Sequence, residues 1–324
     1  MTELNIAIAS RSRSNLLERV FDALMPKLPE SVAVTLVIDG KDDLETLALA
    51  STIHDRYSDV FEYKVIEKSG LAIARNTLID LCQSKYIRFQ DDDDVLNVEM
   101  VERILKFHQQ NPRTALLTNT KISSECSNPF MQYITGIGGQ LFGYEKISQG
   151  FVGFTSFWGG RISLPVENIG INRFDPRLKF GSEDIDFGLR WTQNGGKIFY
   201  DEEIFATQIR SLNLTEMLER AFQQGRSQAY LVENREHIEI TNWARHWTES
   251  DDTFHLEHME VELCHFYIEA RRLTQLSDED IVTLFGEWGG LFLDFIWGRA
   301  INLAKSIGFE SYRRKLDMKL TIPN

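Results

Sequence analysis

Tyr86-Ile87-Arg88-Phe89-Gln90-Asp91-Asp92-Asp93-Asp94-Val95-Leu96 is the stretch on which the reading of this chain turns. Tyr86, Ile87 and Phe89 suit a pleated, buried backbone. The four acids that follow are expected to stop the strand, because like charges this close do not share a dry interior. At neutral pH such a run calls for a cation. Hard oxygen ligands at the end of a buried strand suit Mg²⁺ or Mn²⁺, with coordination positions left for phosphate oxygens. The plain alternative is a solvated loop, the usual fate of a charge run, and the surroundings decide between them.

Upstream, strand and helix patterns alternate. Leu4 to Ala9 is a short apolar strand, followed by the polar turn Ser10-Arg11-Ser12-Arg13-Ser14 and a helix with Leu16, Leu17, Val20, Phe21 and Leu24 at helical spacing. Ser14 or Asn15 is placed to cap that helix, and Pro26 and Pro29 end it. Val32 to Ile38 is a second strand with Asp39-Gly40 at its carboxyl end; Leu44 to Tyr57 is helical and Phe61 to Ile66 a third strand. This rhythm predicts an α/β fold with a mostly parallel sheet and helices on both faces. Ligands bind such sheets at the carboxyl ends of the strands, so Ser10, Asp39 and Asp91 to Asp94 are expected along one edge. Between the third strand and the acids, Leu71, Ala74, Leu78 and Leu81 form a helical stripe entered through Ser69-Gly70, a core helix that leaves Arg75 unexplained.

Ser69-Gly-Leu-Ala-Ile-Ala-Arg75-Asn76, followed about ten residues later by Tyr86-Ile-Arg-Phe-Gln-Asp-Asp-Asp-Asp94, resembles the nucleotide-sugar half of inverting glycosyltransferase family 2. The resemblance implies the A-type glycosyltransferase fold, a Rossmann-like nucleotide-diphospho-sugar transferase domain, and an Asp-x-Asp metal site using Mn²⁺ or Mg²⁺. Ala9-Ser10-Arg11-Ser12-Arg13 takes the place of the family's Pro-Thr-Tyr-Asn-Arg turn and keeps only its last residue, while Ile38-Asp39-Gly40 takes the place of Asp-Asp-Gly. By position, Ser10, Arg11, Asp39, Arg75, Asp91 and Asp92 are implied to bind the nucleotide sugar, with Asp39 on the base and Asp92 on the ribose. Asp93 is implied to hold the metal, with Asp91 beside it. The nucleotide is uridine diphosphate by family frequency.

Downstream, Val98 to His108 is a helix pattern and Thr114 to Thr118 a strand. Asn119 to Thr155, containing Gly136 to Gly139, is weakly periodic and reads as irregular loops; it lacks the ending of a phosphate-binding glycine loop. Phe157-Trp158-Gly159-Gly160-Arg161 reads by itself as a packed turn, and the resemblance places Trp158 and Gly159 on the sugar and acceptor side. Ile162 to Leu164 is a strand. Then comes Gly181-Ser182-Glu183-Asp184-Ile-Asp186, where Ser182 can cap a helix whose first turn holds three acids, favoured there by the helix dipole alone. The family pairs its Asp-x-Asp with a late Glu-Asp at a helix start, which implies Asp184 as the catalytic base and Glu183 as the residue holding donor or acceptor sugar. A family His expected after the next strand, a ligand for the metal or a phosphate, is replaced by Gln208 and Arg210, which implies either weaker metal affinity or phosphates held partly by Arg210.

From Ser211 onward the pattern is helical throughout, giving an expected division into a catalytic domain over residues 1–210 and a helical domain over 211–324. One stripe from Leu214 ends near Gly225 or runs on through Tyr230; a polar segment spans 234–254; Leu256 to Leu273 is a helix; Ser277 caps another, with Asp280 in the capping-box position. Phe285, Trp288, Leu291, Phe292, Phe295, Ile296 and Trp297 form a wide apolar face, open to the first domain, a second copy or a membrane reached from the cytoplasmic side. His255, His258 and His265 lack a fourth ligand at metal spacing.

The chain has 324 residues, 43% of them hydrophobic, enough for a sizeable core. Its formal charge of −13 argues against a nucleic-acid partner, and an anionic donor therefore needs a metal or a local basic patch. Cys82, Cys126 and Cys264 are odd in number and widely spaced, which fits a reducing cytoplasmic setting, and Met1 to Asn5 shows no secretory pattern. The acceptor is not legible: glycan, lipid-linked sugar, peptide and small molecule all stay open. Two other functions compete. Phe89 to Val95 also fits the nucleophile strand of haloacid-dehalogenase-like phosphohydrolases, although that motif normally lies on the first strand. A sugar-nucleotide-binding protein without catalysis is the other.

Overall fold

The structure is a computed structural model and describes residues 2–136, 139, 141–179, 181–248, 256–286 and 289–322, the side chains of 245–248 and 278 excepted. Ile137 and Gly138 of the Gly136 to Gly139 stretch, His255 and Trp288 lie outside the described residues. Two compact units emerge. The first comprises Met1–Glu125, Ile147–Lys179 and Glu183–Arg210; the second comprises Cys126–Lys146, Phe180–Ser182 and Ser211–Asn324.

The first unit is built on a nine-stranded sheet. Strands β1 (Leu4–Ser10), β2 (Val32–Asp39), β3 (Phe61–Ile66) and β4 (Tyr86–Asp91) alternate with helices α1 (Ser14–Leu24), α2 (Leu44–Tyr57) and α3 (Leu71–Leu81). They are parallel, in the spatial order β3-β2-β1-β4. Register aligns their ends: Ser10 pairs with Ile38, and Ala9 with Asp91, so Ser10, Asp39 and Asp91 finish on one edge. Leu4, Ile6 and Ile8 of β1 and Val32, Val34, Leu36 and Ile38 of β2 pack with Leu17, Val20, Phe21 and Leu24 of α1 in the main core. Such burial of branched and aromatic side chains is worth roughly 1.5–3 kcal/mol each, and it holds the edge above it rigid.

The rest of the sheet is mixed, which corrects the expectation of a mostly parallel one. The remaining elements are β5 (Asp94–Val95), α4 (Val98–Gln110), β6 (Thr114–Ile122), β7 (Gly150–Val152), β8 (Ile162–Pro165), α6 (Val166–Ile169), α7 (Glu183–Gln193) and β9 (Lys197–Gln208). β8 runs antiparallel to both β4 and β6, β9 parallel to β6, and β5 and β7 antiparallel to β9. The chain reaches β8 through the Phe157–Arg161 turn rather than through a crossover helix, and antiparallel pairing needs only such a loop. Two local expectations also change. Arg13, not Ser14 or Asn15, is the N-cap residue of α1, because the Ser14 hydroxyl bonds Glu45 instead. β6 continues past Thr118 to Ile122 across an irregularity in its pairing with β9, so the stretch after Thr118 is not all loop.

The second unit is helical. It contains α5 (Pro129–Thr135), α8 (Leu214–Asn234), α9 (Ile238–Thr248), α10 (Leu256–Leu273), α11 (Asp278–Phe285), α12 (Gly289–Leu293), a π-helical turn at Asp294–Gly298, and α13 (Arg299–Arg313). α5 lies in the segment expected to be irregular; Asn128 caps it and Pro129 occupies its first turn, a strong helix start. α9 likewise makes much of the expected polar segment helical. Gly225 does not end α8. It lets α8 and α13 cross with their backbones touching: a Cβ at Gly225 would lie 1.9 Å from the Lys305 carbonyl oxygen, and one at Gly308 1.9 Å from that of Phe222. Gly308→Ala is therefore expected to destabilise this unit by roughly 2–3 kcal/mol, as overpacking against unyielding backbone does. Urea denaturation would measure it, and an unchanged midpoint would contradict the crossing.

The apolar face drawn from the sequence is split in the structure. Ile296 and Trp297 are buried, with the Trp297 indole N–H donating to the Ala270 carbonyl, whereas Leu291 and Phe295 point outward. Consecutive positions on a helix face different directions, so a run of apolar residues cannot all share one face. Among the described residues no single helix is long and apolar enough to cross a membrane.

Candidate active site

The acid run is buried rather than solvated. β4 ends at Asp91 and the chain re-pairs at once, Asp94 with Gln208 through β5, while the Ile209 N–H donates to the Asp93 carbonyl. Asp92, Asp93 and Asp94 are thereby drawn inside; only Asp91 stays partly open. The expectation that four neighbouring carboxylates would avoid the interior fails because distant arginines follow them in. Arg13 Nη1 lies 2.6 Å from Asp92 Oδ1 and 3.4 Å from Asp93 Oδ2. Arg161 spans the run, 3.3 Å from Asp91 Oδ2 and 3.3 Å from Asp94 Oδ2. Arg210 stands 3.9 Å from Asp93 Oδ2.

Burial outweighs these partners. Desolvation, only partly offset by Arg13, pushes the Asp92 carboxyl up to about 6, and Asp93 is raised by burial and by the charge of Asp91. Asp94, fully buried, is pushed up to about 8 despite Arg161. The edge thus holds carboxyls poised near neutrality, a signature of functional sites that structural ion-pair networks can share.

The other predicted residues gather here too. The Ser10 hydroxyl donates to Asp92 Oδ2 at 2.7 Å. Arg11 donates to the Asp39 carbonyl and pairs with Asp42 at the rim. The Asp39 carboxylate accepts the Ser69 and Gly70 N–H groups at 2.7 and 3.0 Å, fixing the entry to α3, where Gly70 takes φ 93. α3 in turn presents Arg75, buried, whose Nη1 donates to Glu183 Oε1 at 2.8 Å and whose Nη2 lies 3.8 Å from Asp91. Arg75 is the link between the two acidic groups.

Gly159 and Gly160 close the remaining side. A Cβ at Gly159 would come within 2.4 Å of Arg75 Nη1, and one at Gly160 within 2.1 Å of Asp91 Oδ1, so only glycines let this turn lie against both side chains. The Gly159 N–H donates to Asp184 Oδ2 at 3.3 Å. Trp158 is half-buried and donates its indole N–H to the Thr155 carbonyl. Glu183 and Asp184 begin α7, directly after Ser182 at φ 66, an uncommon conformation for a residue with a side chain. Burial and the adjacent Asp184 push Glu183 up to about 7 against the pull of Arg75; Asp184 is raised by desolvation, with Arg75 and the backbone amides of Gly159, Ile185 and Asp184 itself opposing.

The comparisons with known proteins bear on this arrangement. Residues 6–164 match the sequence profile of Glycosyl transferase family 2. These residues form a family 2 glycosyltransferase domain. No curated protein matches the chain. Among solved structures, S. aureus TarS is 15% identical with a TM-score of 0.53, and the match covers 96% of this chain and 55% of that one. S. aureus TarS 1-349 in complex with UDP-GlcNAc is 14% identical, TM-score 0.52, covering 97% and 93%. The mannosyltransferase PcManGT from Pyrobaculum calidifontis, in complex with GDP-Man and Mn²⁺, is 11% identical, TM-score 0.57, covering 97% and 86%. At these identities the likeness is one of fold, the A-type glycosyltransferase fold.

The acid run lies on the fourth strand, whereas the phosphohydrolase alternative expects it on the first. Gln208 and Arg210, at the place of the family's His, take different directions: Gln208 Oε1 accepts from Arg161 Nη2 at 3.4 Å, while Arg210 faces Asp93. Arg13 and Arg161 were not among the predicted site residues, and Arg210 stood only as a holder of the phosphates in place of the family's His. A usable signal existed for Arg161, which sits between Gly159-Gly160 and the strand that pairs with β4.

Proposed function

We propose that this glycosyltransferase is metal-assisted and inverting, moving a sugar from a nucleoside diphosphate sugar, with uridine diphosphate the favoured nucleotide, to an acceptor hydroxyl. In this reading residues 1–210 are the catalytic domain and 211–324 a helical domain. The observation that carries the reading is the meeting of two acidic groups, Asp91 to Asp94 and Glu183-Asp184, through Arg75 and the Gly159-Gly160 turn. Complexes of TarS 1-349 with UDP-GlcNAc and of PcManGT with GDP-Man and Mn²⁺ support it by fold.

The donor set suits a divalent cation. Asp91 and Asp93 offer hard carboxylate oxygens at a strand end, and no set of three or more His, Cys, Asp or Glu converges among the described residues. Two carboxylates completed by phosphate oxygens and water is an ordinary shell for Mg²⁺. Bound there, Mn²⁺ or Mg²⁺ would neutralise charge on the departing diphosphate. The chain's own groups supply the rest. Asp184 takes the proton of the acceptor hydroxyl as that oxygen attacks the anomeric carbon from the side opposite the diphosphate, and a single displacement of this kind inverts the centre. Glu183, locked to Arg75, positions the sugar. Ser10, Arg11, Asp39, Asp92, Trp158 and Gly159 line the nucleotide-sugar side. The reaction takes place in the cytoplasm, with the outward side chains of Leu291 and Phe295 available to a second copy or a membrane surface.

Nucleotide release from a panel of sugar nucleotides, with and without Mn²⁺, tests the reading, together with thermal stabilisation by uridine diphosphate. A ligand at 100 times its dissociation constant contributes about 2.7 kcal/mol of stability, which a melting curve resolves. Asp93→Ala should abolish the Mn²⁺-dependent part. Stabilisation by nucleotide without turnover of any donor would favour a binding protein, and no response to any nucleotide would end the assignment.

A further inference from the structure

α10 buries one side of its cylinder in the second unit and turns the other outward. Leu256, Met259, Leu263, Tyr267, Ala270 and Leu273 make up the buried side. By helical periodicity the direction opposite to them belongs to Val261 and Ile268, 71% and 46% exposed, two apolar residues in the middle of a solvent face. Glu257 lies one turn before Val261 and Arg272 one turn after Ile268 on the same side, both exposed. A helix dipole favours acid in the first turn and base in the last. It gives no reason for the apolar centre.

The order along this face, acid, apolar, apolar, base, is its own complement when reversed. Glu257 and Arg272 are equally far from the point between Cys264 and His265, and so are Val261 and Ile268. Two such helices laid antiparallel across a two-fold axis at that point set Val261 of each copy against Ile268 of the other. Glu257 of each then meets Arg272 of the other. A symmetric interface requires self-complementarity of this kind, whereas parallel helices would set acid on acid. We propose that the outward face of α10 is the contact through which two copies of this chain pair. An anionic lipid surface is the poorer fit, since Glu257 flanks the apolar centre and the chain carries a formal charge of −13. Arg272 already donates to Glu269 of its own helix at 2.8 Å, so an incoming Glu257 joins a guanidinium held in place. With 18 residues α10 is about 27 Å long. Two helices of that length bury less than a standard interface, so the pair is weak and exchanges readily. Pairing through α10 is independent of which reaction the chain performs.

Sedimentation velocity of the full chain from about 1 to 200 µM tests the pairing, in the range where a small interface populates a dimer. The wild-type sedimentation coefficient is expected to rise with concentration. Val261→Glu combined with Ile268→Glu should weaken association about tenfold or more, because carboxylates would then be buried at the centre of the contact. Arg272→Glu, which sets acid against acid at both ends, should weaken it about fivefold. Adding Glu257→Arg to Arg272→Glu should restore it to within about twofold of wild type. Both of those substitutions oppose the helix dipole, so no effect on α10 by itself produces the recovery. Matching melting curves at low concentration show that the variants fold. Cys264, partly exposed, lies beside the axis, and packed helices stand about 8–10 Å apart, so a short bis-maleimide should join it to Cys264 of a second copy. A chain that stays monomeric over the whole range overturns the proposal, as does association undisturbed by the paired glutamates. A double charge swap no better than Arg272→Glu alone also overturns it. Flotation with phosphatidylglycerol vesicles that the paired glutamates abolish would give the face to a membrane instead.

Discussion

Asp184→Asn is expected to lower sugar transfer by about 10²–10⁴-fold, the usual contribution of a general base, while nucleotide affinity changes only a few-fold. The wild-type carboxylate takes the Gly159 N–H on Oδ2 and the Ile185 N–H on Oδ1, so the near-isosteric amide keeps an acceptor for one of the two and gives up the other bond. What also disappears is the capacity to take a proton. Because desolvation raises the Asp184 carboxyl and the neighbouring Glu183 stands at about 7, wild-type activity should climb with pH above the range of an ordinary carboxylate, as the base sheds its proton. The asparagine variant should lose that limb. Glu183→Gln is the control: it removes the charge paired with Arg75, and should affect donor binding as well as turnover. Retention of most activity by Asp184→Asn would move the base elsewhere.

How much of this was legible beforehand depended on whether the deciding contacts were local. α2 and β3 begin and end where hydrophobic spacing places them, since their apolar positions, Ala50, Ile53 and Phe61 among them, are the buried ones. The edge formed by Ser10, Asp39 and Asp91 followed from parallel register, a property of strand ends that needs no side-chain detail. The burial of the acids did not follow, because their compensating charges come from Arg13, Arg161 and Arg210, distant in sequence and brought in by separate elements. Antiparallel β8 was hidden for a related reason: a four-residue strand after a glycine turn carries no mark of direction. Gly225 was ambiguous in kind, since a glycine in a helical pattern can mark either an end or a close approach of another backbone.

Arg161→Met should cost about 3–5 kcal/mol at alkaline pH, the range found when one partner of a buried ion pair is removed, and less in mild acid. Arg161 reaches both ends of the acid run and also bonds Thr120 and Gln208, while Asp94 beside it is fully buried. The pH dependence comes from Asp94. Its folded value, about 8, lies far above that of an unfolded aspartate, so the folded state holds more protons between roughly pH 4 and 8. The stability it contributes is complete below the unfolded value and is lost as pH rises through the folded one. Without Arg161 the charged form loses its partner, the folded value moves higher, and the loss continues further into the alkaline range. The gap between wild type and variant should therefore widen from pH 6 to pH 9 in denaturant titrations. Asp94→Asn added to Arg161→Met removes the titrating group, so the double variant should show a smaller, nearly pH-independent deficit; a deficit as steep in pH as that of the single variant would place the titration on another residue.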